Sequence, residues 1–65
     1  MMKEIRIGDT VTLAGHQLKI LRIEKDSIVY ELQDKKAKQK INTYGLTAFQ
    51  KIARMYNMEL VQEGE

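Results

Sequence analysis

Apolar and polar residues alternate with a period of two along most of the chain, and the period becomes helical only after Tyr44-Gly45. Ile5 and Ile7 share one face in an extended reading, Gly8-Asp9 interrupts, and Val11 and Leu13 resume the alternation with Thr10 and Thr12 opposite. This predicts a first strand with an extension before it. Gly15-His16, between Ala14 and Gln17, predicts a two-residue hairpin turn of type II′, because glycine at the first central position allows the positive φ that such a turn requires. The second strand, Gln17 to Glu24, changes phase midway: Leu18 and Ile20 lie on one face, Leu21 and Ile23 on the other. Either both faces are covered there, or a bulge or sharp bend lets one strand serve two sheets. Lys25-Asp26-Ser27 is a polar turn, after which Ile28, Tyr30 and Leu32 alternate with Val29 and Glu31 along a third strand. Asp34-Lys35-Lys36 makes the next turn. In the fourth strand Ala37, Gln39 and Ile41 face one way and Lys38, Lys40 and Asn42 the other, with Ile41 as the core anchor. That pattern is one of an edge strand guarded by outward lysines.

Beyond Gly45, Phe49, Ile52, Ala53, Tyr56 and Leu60 recur at helical spacing, with Leu46 one heptad before Ala53. A helix of about three turns that lays this stripe on the sheet follows. Thr47 with Gln50 three residues on predicts a capping box, Asn57 a left-handed stop, and Lys51 and Arg54 lie towards the helix's negative end. Glu59-Leu60-Val61-Gln62 then forms a short last strand before a frayed Glu63-Gly64-Glu65, or else the helix runs on to Leu60. The expectation is one domain, residues 1–65, in the mainly β (α+β) class, with four to five antiparallel strands and one helix near the C-terminus.

At 65 residues only about 60% of the unfolded chain's surface can be buried, so the 43% of apolar residues must supply the core. Neither usual staple of so small a fold is available, since there is no cysteine and one histidine, His16. No apolar run approaches the ~20 residues of a membrane span, and the opening Met1-Met2-Lys3-Glu4-Ile5-Arg6 has no hydrophobic stretch that could act as a secretion signal. A soluble cytoplasmic protein with no membrane partner is expected.

The order of strands and the late helix resemble the small SH3-like barrels, and Ile7-Gly8-Asp9-Thr10-Val11 is similar to the way KOW-type members of that group begin. The resemblance implies a small antiparallel barrel and a role in binding nucleic acid. The chain departs from the pattern where a tight hairpin replaces the glycine loop after strand one, and where the helix is longer than such barrels carry.

Catalysis finds no equipment here. His16 lacks companions for a metal site, no serine or threonine sits in a nucleophile motif with a base, the carboxylates fall in turns and termini, and there is no glycine-rich phosphate loop. No enzyme activity, metal or cofactor is expected. Charge, by contrast, is unevenly placed. Lys35, Lys36, Lys38, Lys40, Lys51 and Arg54 lie in a stretch without any carboxylate, which carries +6 while the rest of the chain carries −4. One reading is a solubilising turn, a guarded edge and the solvated back of a helix. The other is a basic ridge that follows a phosphate backbone, with Tyr44 or Tyr30 as a stacking surface for a base. A rival from another class is a protein-interaction module that docks a partner, or a second copy in a homodimer, through the edge strand or the Met55/Met58 side of the helix. By analogy, accessory or inhibitory proteins of phage and plasmid genomes are built at this scale.

Overall fold

The computed structural model describes residues 2–61. Its elements are β1 (Lys3–Ile5), β2 (Thr10–Leu13), β3 (His16–Ile23), β4 (Ser27–Leu32), β5 (Ile41–Gly45), α1 (Leu46–Met55) and β6 (Met58–Leu60). The fold is mainly β with one helix near the C-terminus, as the two periods predict. β2, β3, β4 and β5 form one antiparallel sheet in chain order, while β1 and β6 pair in parallel. The larger sheet keeps two free edges, β2 and β5, and no closed barrel forms among the described residues.

Register explains which residues share a face. Val11 pairs with Leu18, Leu18 with Leu32, Ile20 with Tyr30 and Ile28 with Tyr44, so these side chains point to one side of the sheet. α1 lies on that side, burying Phe49 and Ala53 with Leu46 packed beside them. The opposite side carries Thr10, Lys19, Glu31 and Ile41 in one cross-strand row. The midway phase change of β3 resolves as a bulge: Ile20 pairs with Tyr30, but Arg22 pairs with Val29, which leaves Leu21 as the extra residue. The extra residue returns Ile23 to the inner face, opposite Ile28, where it packs against the core.

Several local expectations shift. The hairpin loop is Ala14-Gly15 rather than Gly15-His16, with φ of 50° and 81°, a type I′ rather than a type II′ geometry. Both registers put the same residues on the same face, so alternation does not separate them. The observed one gives the backbone of Ile20 two partners, Gly8 N donating to its carbonyl (2.7 Å) and its own N–H donating to the Asp9 carbonyl (2.8 Å). The fourth strand begins only at Ile41, so Lys38 and Lys40 belong to the preceding loop, and Ile41 is 50% exposed rather than a core anchor. Its side chain points away from α1, because Asn42 and Tyr44 take the inner face opposite Tyr30 and Ile28. Ile7, in the extension, is exposed whereas Ile5 is fully buried.

The helix starts directly off β5. Gly45 is its N-cap, with no side-chain cap, and Leu46 N–H donates to the Asp26 carbonyl (3.0 Å), so Thr47 lies inside the first turn and the capping box does not form. Gln50 is turned elsewhere: its Oε1 accepts from the Leu60 N–H at 2.9 Å. Asn57 does stop the helix in the left-handed region, at φ 60°, as predicted. Tyr56, the C-cap, is 44% exposed and leaves the core stripe, and Leu60 is buried from β6 rather than from a longer helix. The last strand forms as Met58–Leu60 and lies alongside β1, held by Lys3 N–H to the Asn57 carbonyl and Val61 N–H to the Ile5 carbonyl, both 2.9 Å. Gln62 and the tail Glu63-Gly64-Glu65 lie outside the described residues.

Candidate nucleic-acid interface

Lys35, Lys36, Lys38 and Lys40 occupy the loop between β4 and β5, and all four are exposed. The loop is tied at both ends. Gln33 N–H donates to the Gln17 carbonyl (3.0 Å) and Leu32 N–H to the Lys40 carbonyl (2.7 Å), while Asn42 Nδ2 reaches back to the Gln39 carbonyl (3.0 Å). Within it, Asp34 makes an Asx turn, its Oδ1 accepting from Lys36 N–H (2.9 Å) and its backbone carbonyl from Ala37 N–H (3.1 Å). The one carboxylate of the loop thus bonds backbone rather than a lysine side chain. Among the described residues no carboxylate comes within ion-pair distance of these lysines, whereas Arg6 is paired with Glu4, Arg22 with Glu24 and Arg54 with Glu59.

Lys51 and Arg54 are held on α1, away from the sheet, where they border a shallow groove with Leu46, Thr47 and Gln50 that contains no residue of the lysine loop. Arg54 lies 4.0 Å from Glu59, an exposed pair worth little energetically but enough to dilute its field. Tyr44 is on the sheet's inner face, with its ring edge-on to Phe49 at 6.2 Å, and it is 40% exposed. The residues grouped by sequence therefore fall in three places: four lysines in one loop, Lys51 and Arg54 on the helix, and Tyr44 in a separate groove.

That groove went unread in the sequence. It has a volume of about 280 Å³ between the sheet and α1, lined by Leu13, Leu18, Tyr30, Leu32 and Tyr44 from the strands and by Phe49 and Ile52 from the helix. Tyr30 and Phe49 stand 6.1 Å apart. His16 is on its rim, exposed and at the start of β3 rather than in the turn. The groove's Leu32 end meets the lysine loop through the Leu32–Lys40 backbone bond. The alternation of Ile28, Tyr30 and Leu32 marks these residues as inward-facing, but only the register between β4 and β5 puts Tyr44 beside them.

No three His, Asp or Glu side chains gather into a metal-binding group among the described residues, and no helix is long and apolar enough to cross a membrane. Compared with known protein families, curated proteins and solved structures, the chain matches none.

Proposed function

We propose that this is a non-catalytic binding domain that holds nucleic acid through its lysine loop. The observation that supports it is clustering: Lys35, Lys36, Lys38 and Lys40 stand exposed on one loop fastened at both ends, and no carboxylate among the described residues comes within ion-pair distance of them. Four cations against the single carboxylate of Asp34 raise the local potential of one short loop, and they give sequence-tolerant, salt-sensitive affinity for phosphates. Tyr44, four residues along the β4–β5 ladder from the Leu32–Lys40 bond, supplies a ring surface for a base, and Lys51 and Arg54 add a second, weaker cationic site on α1. The likeness of Ile7-Gly8-Asp9-Thr10-Val11 to KOW-type openings supports the same direction.

The test is fluorescence anisotropy with short single-stranded and duplex oligonucleotides at several salt concentrations. If all four loop lysines contact phosphates, the log–log salt slope is roughly −3 for a single strand. Changing the four loop lysines to Gln abolishes binding and leaves stability within about 0.5 kcal/mol, because none of them is paired. Changing Lys51 and Arg54 to Gln weakens binding less. No binding at low salt, or binding unaffected by the four-lysine change, sinks the reading.

A protein-interaction role is the second reading, favoured by a different observation: β5, the edge strand, carries no charged residue.

A further inference from the structure

Among the described residues, the outer side of β5 makes no backbone bonds to another strand. Antiparallel pairs alternate between those that exchange both backbone bonds and those that exchange none. Leu32 N–H donates to the Lys40 carbonyl and Leu46 N–H to the Asp26 carbonyl, and these two bonds set the phase for the pairs between them. Tyr30 with Asn42 and Ile28 with Tyr44 are then the bonded pairs, so Asn42 and Tyr44 turn their N–H and C=O groups to β4. Ile41 and Thr43 turn theirs outward, and so does Gly45 its N–H, while the Gly45 carbonyl, at the N-cap, begins the helix. Thr43 has no partner for either group among the described residues, and the Ile41 carbonyl meets only the Gln39 side-chain amide, at 3.4 Å.

Edges of this kind are normally protected by charge, proline, a bulge or a covering segment. β5 reads Ile-Asn-Thr-Tyr-Gly, with neither charge nor proline, and its lysines lie in the preceding loop rather than on the edge. Thr43 is exposed and Ile41 half exposed. The other free edge, β2, is shorter, and its continuation is broken where Gly8 and Asp9 bond the same residue, Ile20.

We infer that two copies of this chain associate through β5, antiparallel about a two-fold axis at Thr43, to make one continuous sheet. Under that axis Thr43 exchanges both bonds with its own counterpart, and on either side Gly45 N–H of one copy faces the Ile41 carbonyl of the other. Charge selects this orientation. The lysine loop adjoins the Ile41 end of β5, so parallel pairing would set two cationic loops side by side. Antiparallel pairing sends them to opposite ends, each beside a Gly45 end next to Asp26, which adjoins Leu46 through its carbonyl. The contact is isologous and closes at two copies, whereas β5 on β2 would leave a free edge and grow.

Sedimentation of the full chain between about 10 μM and about 1 mM tests this. The expected result is a mass that doubles with concentration. Thr43→Lys and Thr43→Glu each place like charges opposite themselves and stay monomeric, with unchanged circular dichroism because Thr43 is exposed. An equimolar mixture of the two variants restores the doubled mass, since residue 43 then meets its opposite charge. A wild-type chain that stays monomeric throughout, a mixture that stays monomeric when the wild type associates, or growth beyond two copies overturns the proposal.

Discussion

Gln50 Oε1 accepts a hydrogen bond from the backbone N–H of Leu60 at 2.9 Å, joining the middle of α1 to β6 across ten residues of chain. β6 is three residues long and its neighbour β1 is equally short, so neither could persist by strand pairing alone. Leu60 buries its side chain in the core, and the Gln50 amide satisfies its backbone N–H from the helix side.

Gln50→Ala therefore leaves a part-buried donor without a partner. Urea denaturation is expected to report a loss of about 1–2 kcal/mol. Amide exchange at Leu60 should accelerate by more than the global loss accounts for, which separates this contact from a general weakening of the helix. An unchanged Leu60 amide would show that the bond carries no weight.

Ala14 sits at φ 50° in the type I′ loop, a region that costs a residue with a Cβ about 1–2 kcal/mol. Asparagine tolerates that region, and Asn-Gly is the favoured pair for this turn. Ala14→Asn should stabilise the domain by about 0.5–1 kcal/mol and raise Tm by several degrees, roughly 4–8 °C per kcal/mol at this size. The same substitution would have little to offer a loop centred on Gly15-His16, so the melting curve also tests the register.

Ile20 is fully buried in the core, opposite Tyr30, whereas Ile52 lines the open groove and is only partly buried. Ile20→Ala should cost about 2–5 kcal/mol, and Ile20→Asp should unfold the chain. Ile52→Ala should cost roughly 1 kcal/mol. Equal losses at the two positions, read from chemical denaturation, would contradict a groove open to solvent beside Ile52.

Alternation and the one switch of period were enough to read four strands, an edge, a helix of about three turns and a short last strand, because each is a local matter of which side chains face together. The same is true of the irregularity at Leu21 and of the left-handed Asn57. The misplacements have one cause. The two hairpin registers, the Thr47–Gln50 box and the reach of the fourth strand are each compatible with the local pattern, and backbone partners distant in sequence decide among them: Gly8 and Asp9 for Ile20, Asp26 for Leu46, Leu60 for Gln50.

The candidate site divides in the same way. Four lysines within six residues are adjacent however the chain folds, so that cationic loop was legible in the residues themselves. Whether their charge stays free depended on where the carboxylates went, and Asp34 turned to its own backbone. The aromatic groove and the outward groups of Thr43 exist only once β4 and β5 take their register, since pairing alone determines which side of a strand each side chain and each N–H faces.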